Sequence, residues 1–481
     1  MRRAAALLVI LLCCAVLYVQ GASLWLDEAS VALNLRERTL PGLWTEQLSY
    51  GQVFPRAWLS CVWLLRAALG TEDPRVLRLL PFLAMVGGVA AWLALGRRVL
   101  KDSATPLLLL AALLASPSVL RYAAELKQYA FDVLCVAVGL HAVWALTRDP
   151  PRRRLWAVIL VLAVGTSHLA WLPCGALWLA IALRGRPDRT AALALGGGGL
   201  LLLLTDVLGQ LGHTGKMVSY WAPWMVPAWP PDEAMAAFFT GQGAQLLGYS
   251  LGPRMLARGG VDPGLGMGLV FGAVLLGVVL QRRTLSPQDA RGDWLLAWLL
   301  TVAASTAASM TGLLPLGQRV TLGLFPMLLM GPLILLDRRL ESLAPARRIW
   351  LRRALGALAT IYLVVCVGTV ARRGVREDLH PRLPHLVGLD WLVVDHCSTR
   401  QWALLTRPAP PGLQVHVMGT PTEAPPQLDQ ARTRGGYVVT HQAGQCAPHQ
   451  EQVRQQLGGA GRVELTYTGL DAALWTVSIP P

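Results

Sequence analysis

Long apolar runs separated by arginine-rich segments leave this chain few architectures. Inside a bilayer every backbone amide must be satisfied within the chain, so such runs become spanning helices. They fall at 4–20, 79–96, 105–120, 126–147, 155–168, 170–184, 190–208, 264–280, 294–311, 319–336 and 352–370. This spacing predicts an all-α polytopic membrane protein with about 11 transmembrane helices. A soluble domain of this length carries far more charge than 15%, and here 54% of residues are hydrophobic. Met1-Arg2-Arg3 ahead of the first run resembles a signal-peptide start, but no small-residue cleavage site follows it. The first run is therefore read as an uncleaved helix. The stretch 57–69, with Arg56 at its start and Arg66 within it, reads as an interfacial helix.

Charge sets the expected orientation. The N-terminus and the segments 97–101, 148–154, 184–189, 282–291 and 338–353 together hold 21 of the 43 basic residues. That is the positive-inside pattern, with the N-terminus cytoplasmic. The outward segments are then 21–78, a tight turn near 121–125, 209–263, 312–318 and the tail from 371. The first of these runs against the trend, since it carries Arg36, Arg38, Arg56, Arg66, Arg75 and Arg78. A net charge of +15 can signal nucleic acid, but bases lying between apolar runs, not on one soluble face, exclude that class here.

Two domains are expected: 1–370 in the membrane, with first outer loop 21–78, and 371–481 outside it. The tail is polar, and its short apolar runs at 390–394, 414–418, 436–440 and 473–477 alternate with polar stretches such as Gln450 to Leu457. This pattern predicts a small C-terminal α/β periplasmic domain. Cys397 and Cys446 each follow such a run, and a disulfide between them suits an oxidising compartment. The other six cysteines lie in or beside apolar runs as packing thiols, and no C-x-x-C metal or redox pattern occurs.

Three polar clusters fall on the outward side. Asp27 and Glu28 sit just beyond the first span. Adjacent carboxylates raise each other's proton affinity, which suits a general base, and they also suit a divalent cation. Equally, they could do no more than open a helix, where acids complement the dipole. Next, Ser116 to Tyr129 turns between two spans and carries Tyr122, Glu125, Lys127 and Tyr129. Spacings of three and four predict that Tyr122, Glu125 and Tyr129 share a helical face, with Lys127 pointing elsewhere, available to a phosphate. The alternative is an anchoring belt of snorkelling side chains. In the third cluster, Arg319 follows Gly317 at the mouth of a late span, as a phosphate partner or as an anchor. His168 lies at another outer mouth, and a lone histidine there is commonly structural. The loop from 209 carries Trp221, Trp224 and Trp229, for sugar stacking or an interfacial belt.

These segments resemble motifs of the C-type glycosyltransferase superfamily, the membrane enzymes related to dolichyl-phosphate-mannose protein mannosyltransferases and to the bacterial transferase that adds aminoarabinose to lipid A. Leu24-Trp25-Leu26-Asp27-Glu28-Ala29 resembles the acidic first-loop motif. Ser116, Pro117, Tyr122, Glu125 and Tyr129 match the later Ser-Pro…Tyr segment, with Lys127 in place of an arginine. Leu77-Arg78-Leu79-Leu80-Pro81, Thr166-Ser167-His168 and Pro315-Leu316-Gly317-Gln318-Arg319 resemble three further motifs, all in order over residues 1–340. Phe54-Pro55-Arg56-Ala57-Trp58 departs from the usual Pro-Pro-Leu-Tyr, and Ala123-Ala124 replaces Ser-Gln.

The resemblance implies an inverting transfer of a sugar from a polyprenyl-phosphate donor to a lipid, polysaccharide or protein acceptor on the periplasmic side of a bacterial inner membrane. Asp27 would be the base, and Glu28 would support it or help bind a cation. Lys127 and Arg319 would hold the leaving phosphate, and Glu125 would orient Lys127 or the sugar. The rival classes are a transporter or flippase of lipid-linked sugar, and a non-catalytic membrane scaffold. A transporter would place charges or broken helices near mid-membrane, in paired halves; no such repeat occurs.

Overall fold

The computed structural model describes residues 2–19, 24, 26–49, 52–148, 152–207, 221–227, 233–238, 277, 289–317, 320–373, 391–394, 414–417, 434–439, 451, 453, 455, 462–468 and 473–478. The helices run α1 (Arg2–Tyr18), α2 (Leu26–Glu37), α3 (Leu40–Thr45), α4 (Arg56–Leu69), α5 (Pro74–Leu77), α6 (Leu79–Val99), α7 (Thr105–Ala115), α8 (Pro117–Tyr122) and α9 (Tyr129–Leu146). Then come α10 (Arg153–Gly165), α11 (Trp171–Leu183), α12 (Arg189–Leu202), α13 (Glu233–Ala237), α14 (Ala290–Met310), α15 (Phe325–Ser342) and α16 (Pro345–Arg373).

Among the described residues four segments are long and apolar enough to cross a membrane: Pro74–Val99, Tyr129–Leu146, Ala290–Met310 and Pro345–Ala371. A chain with four such helices is a multi-pass membrane protein. The helices Ala5–Tyr18, Thr105–Ala115 and Trp171–Leu183 are apolar but shorter. The expected run 264–280 lies outside the described residues, apart from 277. Two expected spans are reshaped by caps and prolines. The run 105–120 breaks at Ser116, which caps α8 by accepting from the Val119 amide, with Pro117 in the first helical turn. The run 126–147 begins only at Tyr129.

The large core lies where α6 packs on α9, α10 on α9 and α12, and α11 on α14. Close approach needs small residues there. Gly331 of α15 faces the indole of Trp298 on α14, and a Cβ at that position would stand 2.8 Å from the ring. Gly331→Ala therefore costs about 1–3 kcal/mol through forced repacking, read as a lower midpoint of thermal unfolding in detergent. Four of the six membrane cysteines (Cys14, Cys135, Cys174, Cys366) are buried thiols, whereas Cys61 is exposed. Cys397 and Cys446 lie outside the described residues.

At one end of the bundle, basic loop residues converge on buried carboxylates. Asp293 receives Arg184 and Arg186, with Arg148 at 4.0 Å. Asp337 receives Arg291, the Lys101 and Asp102 amides and the Thr105 hydroxyl. Asp102 in turn receives Arg352 at 2.9 Å. Among the described residues, Lys101, Arg148, Arg184, Arg186, Arg291 and Arg352 thus gather on one side.

The tail contains a five-stranded sheet: β1 (Trp391–Val394), β2 (Gln414–Val417), β3 (Arg434–Val439), β4 (Arg462–Thr468) and β5 (Ala473–Ser478), in the order 2-1-3-5-4. β1 pairs parallel with β2 and β3, while β5 pairs antiparallel with β3 and β4. Four of these strands coincide with the apolar runs. β4, with its alternating Arg-Val-Glu-Leu-Thr-Tyr-Thr, does not stand out by hydrophobicity.

Candidate functional site

The described residues between 24 and 78 pack on one another ahead of α6, with most arginines of this loop serving as ties. Arg38 bonds Asn34, the Gln47 carbonyl and Ser49. Buried Arg56 donates to the Leu43 carbonyl at 2.6 Å, and Arg66 clamps Glu72 and the Leu35 carbonyl. These cations are therefore tied to partners within the same loop, whose six arginines are matched by six carboxylates.

Asp27 and Glu28 both lie in the first turn of α2. They diverge sharply from there. Glu28 is fully buried, with Arg78 in a two-pronged pair at 2.8 and 2.5 Å. It also accepts from the Leu126 amide at 2.5 Å, 98 residues away. Glu28 thus tethers three segments: α2, the start of α6, and the 123–128 turn. Asp27 instead keeps 25% of its side chain exposed and places Oδ2 3.6 Å from Lys127 Nζ. Lys127 is 4% exposed, bonds Gln52 Oε1 at 3.3 Å and lies 4.8 Å from the Phe54 ring centroid. Phe54 stacks on Trp58, which fixes it against α4.

Tyr122, Glu125 and Tyr129 do not share one helix. Residues 123–128 form turns and bends between α8 and α9, so three- and four-residue spacing does not apply. A tight turn, with the Lys127 amide bonded to the Glu125 carbonyl at 2.8 Å, separates them. Tyr122 ends α8, Tyr129 begins α9, and their rings meet edge to face at 4.9 Å. Glu125 is buried and bonded through Oε1 to Arg121, while its Oε2 has no hydrogen-bond partner among the described residues. Burial pushes the Glu125 carboxyl above the ordinary carboxylate range, Arg121 pulls it down, and nearby Glu28 adds to the rise.

The sign of that shift has a consequence. Between its ordinary and its raised value, the folded chain holds a proton that the unfolded chain has released. The contribution of Glu125 to stability therefore declines as pH rises through that window. Glu125→Gln is expected to flatten this part of the stability profile, measured as unfolding midpoint against pH.

His168 connects to segment 52–56 through Asp206. Its Nε2 lies 3.5 Å from Asp206 Oδ2, and Asp206 Oδ1 accepts from the Arg56 amide at 2.8 Å. Ser167 donates to buried Asp132 at 2.6 Å. Asp206 and Gln52 belong to no short motif, and only the fold brings them here. Arg319 lies outside the described residues; just before it, Gly317 packs against Trp221, and the Leu316 amide bonds the Trp224 carbonyl at 2.8 Å. These two indoles thus brace the turn that precedes Arg319. No group of three or more His, Cys, Asp or Glu side chains suited to a metal ion occurs among the described residues.

The sequence matches no protein-family model. It matches no curated protein. Among solved structures, the chain is similar to ArnT from Cupriavidus metallidurans bound to undecaprenyl phosphate, at 13% identity and a TM-score of 0.47, covering 100% of this chain and 98% of that one. It is also similar to the apo state of the same protein, at 15% identity and a TM-score of 0.41, with the same coverage. A third likeness is to the arabinofuranosyltransferase AftD from Mycobacteria, at 14% identity and a TM-score of 0.48, covering 99% of this chain but 41% of that one. At such low identity the chemistry of this chain rests on its own residues.

Proposed function

We propose that this chain is a C-type membrane glycosyltransferase that moves a sugar from a polyprenyl-phosphate donor to an acceptor, with inversion. The observation that carries the reading is Asp27: a part-exposed carboxylate 3.6 Å from a buried lysine at the end of a membrane segment. A base and a phosphate-holding cation are the two parts that such a transfer needs side by side. The acceptor oxygen attacks the anomeric carbon and its proton passes to Asp27. The bond from that carbon to the phosphate oxygen breaks, and the electron pair leaves on the polyprenyl phosphate. Lys127 stabilises that developing charge, most strongly where water is excluded. Donor phosphate would compete with Asp27 for Lys127, releasing the base as the donor seats. Buried Glu125 is proposed to orient Lys127 or the sugar.

Glu28 takes no part in proton transfer in this reading, because Arg78 and the Leu126 amide occupy its oxygens. Arg319 is proposed as a second phosphate partner and His168 as an edge of the acceptor side. The positive-inside pattern supports a cytoplasmic N-terminus with the site and tail periplasmic, and the resemblance together with the Arg- and Ala-rich composition supports a bacterial inner membrane. The tail domain 371–481 would cover the site or bind acceptor.

The test is transfer by the purified chain in proteoliposomes loaded with polyprenyl-phosphate sugars, followed by mass spectrometry of acceptor and lipid. A new glycosidic bond supports the reading. Movement of intact lipid-sugar between leaflets without that bond would identify a transporter. Lys127→Ala is expected to lower kcat/KM for donor by about 10²–10³-fold, as loss of one oxyanion partner does. Lys127→Arg should recover part of it.

A further inference from the structure

Arg97 and Arg98 lie at the opposite end of α6 from Arg78, about 28 Å along the helix axis. There α1 and α6 leave between them a groove of about 400 Å³. Leu7, Ile10, Ala90 and Leu93 line it together with the two arginines. Ile10 and Leu93 are buried at its base, and Leu7 stands exposed at its rim.

The two guanidiniums differ from others on the same face. Arg148, Arg184, Arg186, Arg291 and Arg352 each reach a carboxylate. Arg97 reaches none among the described residues, and Arg98 meets only the ring of His141, with Nη1 3.3 Å from Nδ1. The other ring nitrogen, Nε2, lies 3.1 Å from the Ala91 carbonyl. A carbonyl only accepts, so Nε2 carries the proton and Nδ1 accepts from Arg98. The partner of Arg98 is therefore a neutral imidazole, and among the described residues neither positive charge is balanced by a carboxylate. Two cations snorkelling independently would need no groove. Apolar walls ending in two unbalanced guanidiniums match an acyl chain that ends in an anionic head.

We propose that the α1–α6 groove binds one anionic phospholipid from the leaflet on the arginine-rich side, its phosphate on Arg97 and Arg98 and one acyl chain along Leu7, Ile10, Ala90 and Leu93. This site is separate from the Asp27–Lys127 centre and does not depend on the reaction assigned there.

The full chain, delipidated in mild detergent, is titrated with phosphatidylglycerol or phosphatidylcholine of identical acyl chains and read by native mass spectrometry. One phosphatidylglycerol is expected to be retained about ten- to thirtyfold more tightly, since each basic residue near a membrane surface contributes about 1 kcal/mol. R97Q/R98Q removes that preference. Ala94, another lining residue, offers a steric counterpart: A94W fills the groove, keeps both charges, and also loses retention. Equal retention of the two lipids by the unaltered chain overturns the proposal without reference to any variant. So does a preference that survives either change.

Discussion

Asp27→Asn is expected to lower sugar transfer by about 10²–10⁴-fold, the range of general acid–base contributions, with the protein present in the membrane at normal abundance. The substitution keeps the shape of the side chain and leaves the α2 helix intact, since Asp27 is part-exposed and not built into the core. It removes the capacity to take a proton, together with the negative charge that faces Lys127. Donor binding should survive, because Lys127 remains and its competitor is weakened. The measurement is single-turnover transfer in proteoliposomes alongside donor affinity. Unchanged turnover would remove Asp27 as the base and leave the scaffold reading standing.

The second large effect falls on folding. Arg78→Ala leaves the Glu28 carboxylate buried without its guanidinium, and loss of one partner from a buried pair costs about 3–5 kcal/mol. Both side chains are fully excluded from solvent, so water cannot take over the role. Replacing both partners with apolar residues of similar volume, Arg78→Leu with Glu28→Met, should cost less than Arg78→Leu alone, because no charge is stranded. Thermal unfolding of the four proteins in detergent gives this coupling directly. Additive losses would mean that the pair is not a unit and that Glu28 is held chiefly by the Leu126 amide. The contrast with Asp27 is the useful part: neighbours in the chain, one is expected to fail in turnover and the other in stability.

Much of this was legible from residue order. Apolar runs located α6, α9, α14 and α16 within a few residues, since a helix in lipid needs a continuous stretch of side chains that tolerate it. The run 57–69 coincides with helix α4 to within one residue. The four most apolar strands of the tail were visible, but β4 was not, because its alternation is polar on one face and short. The shared face expected of Tyr122, Glu125 and Tyr129 is absent, because the chain turns and bends over residues 123–128 between α8 and α9 and helical spacing does not apply there.

Local pattern located the long apolar helices, the arginines that share a side and the acidic and basic residues of the candidate site, because hydrophobic length and charge act over a few neighbouring residues. Packing alone decided the roles within that set. Glu28 became a tether and Asp27 a part-exposed acid because Arg78 and the Leu126 amide, 50 and 98 residues away, arrive at one carboxylate and leave the other for Lys127. Asp206, too, acquires meaning only where the Arg56 amide and His168 meet it. Burial and long-range partners set whether a carboxylate holds a fold or takes a proton, and neither is written in the spacing of residues along a chain.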